Sequence, residues 1–277
     1  MMMNDSRQIP KIIHYCWFGG KEKPEFVEKC IASWKKFLPD YELKEWNETN
    51  FDVNIVPYTK QGYELKKYSF ITDYVRYWVL YEYGGIYLDT DVEIVKPMDE
   101  ILSKISFIGR EDLKIKPSVN SGLGMGAIKG LPVMKDFMEI MGRVEAILPD
   151  GTINPKIQVD YMTEYLLAKG LKKHNKIQTI NDLIIYPKEY FCPDYLGDGK
   201  YKLTKNTYSI HHYAASWVDD VRNFWILNLP FGIQLKFYIC KEETKKTNTL
   251  PANEKEIIKF NKNKRRYIVI TFVKNNQ

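Results

Sequence analysis

The chain has 277 residues, 44% apolar and 27% charged, the balance of a soluble globular protein long enough to bury a core without disulfides or a structural metal. That composition excludes a disordered or collagen-like chain, and no uninterrupted apolar run reaches the length of a membrane span. The net charge of +6 is uneven: Val221 to Gln277 carries 12 Lys/Arg against 4 Asp/Glu and the rest 29 against 31, so no uniformly basic nucleic-acid binder is expected. The aromatic content of 14%, with 20 Tyr and 6 Trp, suits either stacking on bases and sugars or a half-wet core. Cys16, Cys30, Cys192 and Cys240 are scattered without metal-ligand spacing, and the first residues lack the apolar core of a secretory signal. Both features point to reduced thiols and a cytoplasmic protein.

In chain order, KIIHYCWFGG reads as a buried strand closed by Gly19 and Gly20. Pro24 opens a helix with Phe26, Val27, Ile31 and Trp34 at helical spacing, and Tyr41 to Asn47 alternates as a second strand. This β-α-β opening indicates an α/β sheet. Ser69, as N-cap, starts a helix to Tyr83 that Gly84-Gly85 ends; Ile86 to Leu88 is a short strand running into Asp89-Thr90-Asp91. Val92 to Val95 and Ile105 to Gly109 read as strands, with the glycine-rich NSGLGMGA beyond them. Pro132 to Val144 and Val159 to Ala168 read as helices; Ile184 to Tyr186 and Tyr208 to His211 read as short strands. A boundary falls near residue 220.

Asp89 and Asp91 carry the functional argument. They follow a short apolar strand at its carboxyl end, where open α/β sheets place ligands. Two carboxylates one residue apart suit a hard cation, Mg²⁺ or Mn²⁺, bridging to phosphate; the plainer alternative is a solvated acidic turn. Asp73 and Arg76 share a face of the preceding helix, either as an intrahelical ion pair or as groups aimed at hydroxyls or phosphate. His211 and His212 follow a strand, and a histidine completes the shell of a Mn²⁺ ion. Ser216 and Trp217 add donors for phosphate, and Trp17 offers a flat face for a base.

IPKIIHYCWFGG and SFITDYVRYWVLYEYGGIYLDTDVE together resemble glycosyltransferase family 32, whose signature is a sugar-binding region containing a D-x-D motif. The resemblance covers roughly residues 9 to 217. It implies a GT-A fold, with a Rossmann-like nucleotide-binding sheet flanked by helices, over residues 1–220. It also implies roles: Trp17 on the base, Tyr87 near base or ribose, Asp73, Arg76 and Asn120 around the donor sugar. Asp89 would bind ribose and sugar hydroxyls and reach the metal through water, and Asp91 would ligate it directly with His212, more than His211, beside it. Ser216 and Trp217 would contact the diphosphate. QVDYMTEYL (Gln158 to Leu166) departs from the family's Gly-Pro pattern on the acceptor side.

The expected activity is metal-dependent, retaining transfer of a hexose from a nucleotide sugar, a UDP-sugar before a GDP-sugar. The expected acceptor is a bacterial surface polysaccharide (capsular or lipopolysaccharide) or its lipid-linked precursor. The alternatives are a metal-dependent nucleotide-sugar phosphohydrolase and a non-catalytic sugar- or nucleotide-binding module. Residues 221–277 read as an amphipathic, helical and basic extension, in which RRYIVITFV (Arg265 to Val273) also reads as an ordinary strand: either a cap on the core or a patch docking on an anionic membrane, which would make the protein peripheral on its inner face.

Overall fold

The computed structural model describes residues 8–111, 117–197 and 199–214, and, as backbone, the strands between 221 and 274. Two compact units result, Met1–Ala214 and Ala215–Gln277.

The first unit is a mixed α/β domain. It opens with β1 (Ile12–Cys16), α1 (Glu25–Phe37) and β2 (Glu42–Trp46), followed by α2 (Pro57–Glu64) and α3 (Tyr68–Tyr83). Next come β3 (Gly85–Tyr87), β4 (Val92–Ile94), α4 (Asp99–Leu102), β5 (Ser106–Arg110) and β6 (Val119–Ala127). Then follow α5 (Pro132–Gly142), α6 (Gln158–Ala168), β7 (Gln178–Ile180), β8 (Leu183–Tyr186), the β9 (Tyr195–Gly197) and β10 (Lys200–Tyr201) hairpin, and β11 (Ser209–His211). Seven strands form one sheet in the order β2-β1-β3-β6-β5-β8-β7. β1 pairs in parallel with β2 and β3, and β5 with β8, while β6 runs antiparallel to both β3 and β5. The carboxyl ends of β1, β3, β5 and β8 therefore meet at one edge, and β6 begins there.

Alternate strand residues feed two cores, because successive side chains point to opposite faces. Tyr87 and Ile108 join α3, α5 and α6 on one face; Ile86 and Phe107 join Val27, Ile31 and Trp34 of α1 on the other. α1 is thus held by the apolar spacing that its sequence shows, although Phe26 stays partly exposed. The α3-to-β3 junction needs both its glycines. Gly84 and Gly85 have φ of 66° and 105°, and a Cβ would meet Lys129 N and Ile12 O at 2.6 Å in each case. His14, buried in β1, donates from Nε2 to Gly84 O (2.8 Å) and accepts from Trp46 Nε1 at Nδ1 (3.0 Å), tying three strands to this turn.

Two expectations are corrected. α3 starts at Tyr68, so Ser69 lies inside its first turn, where its carbonyl accepts from Thr72 Oγ1 instead of its hydroxyl capping the helix. The C-terminal extension is not helical. It forms β12 (Val221–Leu229), β13 (Ile233–Lys241), β14 (Lys255–Asn261) and β15 (Arg266–Lys274), an antiparallel sheet in the order β12-β13-β15-β14. Runs rich in aromatic and β-branched residues, broken at Pro230 and Gly232, favour strands over a helix. Among the described residues, no helix is long and apolar enough to cross a membrane.

Candidate metal and sugar site

The site grows from the sheet edge where β1 and β3 end. Leu88 N donates to His14 O (3.1 Å), so Asp89 is the first residue clear of the strand. A turn, Val92 N to Asp89 O (3.0 Å), leads into β4, which pairs antiparallel with β11 so that His211 lies opposite Val92. This register returns His211 to the two aspartates, 122 and 120 residues after Asp89 and Asp91. His211 Nε2 stands 3.2 Å from Asp91 Oδ1 and 4.0 Å from Asp89 Oδ2.

Each carboxylate has one oxygen tied to the protein and one left facing the cluster. Asp89 Oδ1 accepts from Tyr87 OH (3.1 Å) and faces Arg76 Nη2 (3.4 Å), while Oδ2 faces His211. Asp91 Oδ2 accepts from Ala214 N (2.8 Å), while Oδ1 faces His211. Candidate ligand atoms of Asp89, Asp91 and His211 lie within 4.8 Å of one another. Burial raises the Asp91 carboxyl, but His211 and the Ala214 N–H prevail and bring it down to about 2, so it is ionised at neutral pH. Burial pulls the His211 imidazole down, and the charges of Asp91 and Asp89 more than reverse this, so its pKa is raised. Two hard oxygens and one imidazole suit Mg²⁺ or Mn²⁺. His211 Nδ1 is buried and has no hydrogen-bond partner among the described residues.

Beneath this cluster lies a buried polar layer. Arg76 spans two carboxylates, reaching Asp73 Oδ1 at 3.2 Å as well as Asp89. Its remaining donors go to Thr72 O, Thr72 Oγ1 and Ser121 Oγ. Burial first, then the charge of Asp89, push the Asp73 carboxyl up to about 7 against the pull of Arg76. Tyr58 OH donates to Asp73 (3.3 Å), and Tyr77 OH, Ser121 Oγ and Gln158 Oε1 close a second ring of hydrogen bonds.

The sequence-derived residues are thus unequally placed. Asp73, Arg76, Asp89 and Asp91 come together, with Trp17 at the same sheet edge just after β1. His212 is corrected: its Nε2 pairs with Glu93 (2.9 Å) and its Nδ1 with Tyr201 OH (3.0 Å), because alternation along β11 turns it away from the side that His211 takes. Tyr87, expected at the base or ribose, is 1% exposed and lies under Asp89 as its hydrogen-bond donor. Asn120 donates to Glu111 Oε2 (2.8 Å) and accepts from Gly122 N (2.8 Å), so its amide faces protein partners first. Ser216 and Trp217 lie outside the described residues. Glu111, Ser121, Gln158 and Tyr213 were not among the expected site residues, although Ser121 lies in NSGLGMGA, Tyr213 follows His211-His212 and Gln158 heads the segment that departs from the family pattern; Glu111 carried no such signal.

Acidic groups thus gather at the carboxyl edge of a parallel-rich sheet, where open α/β sheets place their ligands. Residues 24–108 match the family described as "Glycosyltransferase sugar-binding region containing DXD motif". The chain carries that region over residues 24–108. It is 33% identical over 151 residues to "Inositol phosphoceramide mannosyltransferase 3" of Schizosaccharomyces pombe, a match covering 50% of this chain and 39% of that protein. It is 25% identical over 231 residues to "Uncharacterized glycosyltransferase L373" of Acanthamoeba polyphaga mimivirus, covering 77% of this chain and 86% of that one. Among solved structures, "PaToxG Glycosyltransferase" superposes at a TM-score of 0.39 with 20% identity, over 48% of this chain and 60% of that one. The chain therefore spans well under half of the yeast relative.

Proposed function

We propose that the chain is a metal-dependent glycosyltransferase that moves a hexose, with retention, from a nucleoside diphosphate to a hydroxyl of a glycan or lipid-linked acceptor. The observation that carries this reading is the convergence of Asp89 Oδ2, Asp91 Oδ1 and His211 Nε2, each on a side chain otherwise held by the protein. Asp91 and His211 would hold the ion directly and Asp89 would join them or bind through water. A divalent cation bound there supplies Lewis-acid stabilisation of the departing diphosphate. The chain's own groups do the rest. Arg76 and Tyr87 fix Asp89 so that its free oxygen needs no reorientation when substrate arrives. Asp73 and Asn120, whose polar atoms also serve Arg76, Tyr58, Glu111 and Gly122, are proposed as contacts for sugar hydroxyls, and Trp17 as a face for the base. Ser216 and Trp217 are proposed as donors to the diphosphate.

The name of the yeast relative adds mannose to the candidate hexoses and an inositol phosphoceramide to the candidate acceptors, beside the surface polysaccharide and its lipid-linked precursor. UDP remains the favoured carrier. A peripheral, cytoplasmic placement, with the basic residues 221–277 docking on an anionic membrane, is part of the proposal. The test is nucleotide release from UDP- and GDP-hexoses with Mn²⁺ or Mg²⁺, with and without glycan and glycolipid acceptors. Acceptor-stimulated release that disappears in Asp91→Asn supports the reading. Metal-independent turnover, or hydrolysis indifferent to every acceptor, rejects it.

A further inference from the structure

A histidine that binds a metal usually donates its second ring N–H to a carboxylate or carbonyl, which fixes the ring. His211 makes no such bond among the described residues: Nδ1 is buried and unpartnered. The ring is held instead by Tyr213, packed edge-on with centroids 4.1 Å apart. Tyr213 adopts φ of 49°, a left-handed conformation that bulky residues seldom take, although its side chain is 45% exposed. Core packing therefore does not account for its backbone. The turn has another consequence: it lets His212 N donate to Asp91 O (3.0 Å) and Ala214 N to Asp91 Oδ2 (2.8 Å), wrapping the segment round one ligand while Tyr213 covers the other.

The hydroxyl of Tyr213 is anchored. It donates to Glu111 Oε2 (2.6 Å), at the end of β5, and also lies 3.1 Å from Cys192 Sγ. Glu111 itself is fixed from β6, accepting from Ser118 Oγ (3.1 Å) and Asn120 Nδ2 (2.8 Å). The same Asn120 caps Gly122 N, and a Cβ built on Gly122 would lie 2.1 Å from Asp89 Oδ2. Glu111 thus joins the segment bearing His211 to the strand that walls Asp89.

We propose that Glu111 and Tyr213 are positioning residues for the metal site, Tyr213 setting the His211 ring and Glu111 holding Tyr213 in register with β6. This rests on the reading that Asp89, Asp91 and His211 bind a divalent cation. Both residues act through others: the hydroxyl–carboxylate bond stands in for the hydrogen bond that the imidazole lacks among the described residues.

The test measures metal binding without turnover. Mn²⁺ affinity is read from the loss of free-ion EPR signal, and ligand geometry from the visible absorption of bound Co²⁺, in the full chain with Asp91→Asn as the null. Tyr213→Phe keeps the ring and removes only the anchor, so its thermal stability should stay near wild type. The expected result is about a tenfold weaker Mn²⁺ affinity and an altered Co²⁺ spectrum. Glu111→Ala should give a similar loss, and the double variant no more than either single change, because both remove one linkage. Wild-type affinity and an unchanged Co²⁺ spectrum in Tyr213→Phe, with Asp91→Asn inactive in binding, would overturn the positioning role alone. Failure of the wild-type chain to bind Mn²⁺, with or without UDP or GDP, would overturn the metal reading and this inference with it.

Discussion

Gly122→Ala tests the site without touching a candidate ligand. The backbone at Gly122 lies outside the left-handed region, so alanine is tolerated locally, yet its Cβ would sit 2.1 Å from Asp89 Oδ2 and 3.1 Å from Asp89 Cγ. Relief requires the carboxylate to retreat by about 1 Å, since real Cβ contacts do not fall below about 3 Å. The retreat has no free direction, because Asp89 Oδ1 is held by Tyr87 OH at 3.1 Å and faces Arg76 at 3.4 Å. A displacement of that size costs about 10²-fold in turnover, and disturbing a ligand's support costs about 10–100-fold in metal affinity. Mn²⁺ binding by EPR and nucleotide release are the assays. Gly142→Ala is the control: at the end of α5, its Cβ meets only Val56 and Tyr74 at 3.5 and 3.6 Å, ordinary contact. Wild-type Mn²⁺ affinity in Gly122→Ala would show that Asp89 is not held where the argument needs it.

Three further outcomes follow. His211→Ala should abolish Mn²⁺ binding while His212→Ala, which loses contacts to Glu93 and Tyr201, retains it; the opposite pattern restores His212 to the site. Arg76→Ala should lower stability by about 3–5 kcal/mol in chemical denaturation, because it leaves Asp73 and Asp89 without the one guanidinium nitrogen that meets both; a normal midpoint with raised KM would mark Arg76 as a substrate-binding group instead. Burial, its largest cause, lowers the His14 pKa from the ordinary 6.5 to about 4, so neutral His14 contributes stability that is complete above pH 6.5 and lost progressively as pH falls towards 4. The part lost between pH 7 and 5 is about 2 kcal/mol. Asp73, raised to about 7, acts with the opposite sign, so the measurement is the stability difference between wild type and His14→Gln, which should shrink by that amount; a pH-independent difference would contradict it.

What the sequence made legible was whatever its chemistry punctuates locally. The Gly84-Gly85 stop, the apolar Ile86 to Leu88 and the acids after them announce a strand end with two carboxylates, and the structure has that arrangement. The identity of the histidine was not legible, because His211 and His212 are adjacent and only the β4–β11 register decides which side each takes. Glu111 had no signal at all: it stands beside Asn120 because β5 and β6 pair, and β-strand register is a long-range property. The short α2 escaped because a helix of eight residues with Tyr58, Thr59 and Gly62 as its buried face offers little apolar periodicity. In the C-terminal unit the apolar runs are visible, and so is Pro230-Phe231-Gly232 between them, a turn signal that suits two paired strands better than one helix.

The buried layer changes what the helix-borne pair must be doing. An exposed arginine three residues from an aspartate would be free to leave it for a phosphate. Arg76 is 3% exposed and its donors already meet Thr72, Ser121, Asp73 and Asp89. Releasing it would leave two carboxylates facing each other without a cation, in a layer where burial already drives Asp73 towards its neutral form. The pair therefore shapes the site by fixing Asp89 Oδ1, and through it the direction of Oδ2. Under the proposed function, specificity for the sugar comes from what stands above this layer: the free oxygen of Asp89 and the side chains along β6. Substitutions at that upper level should alter which donor is used, whereas substitutions in the layer should alter whether the site forms.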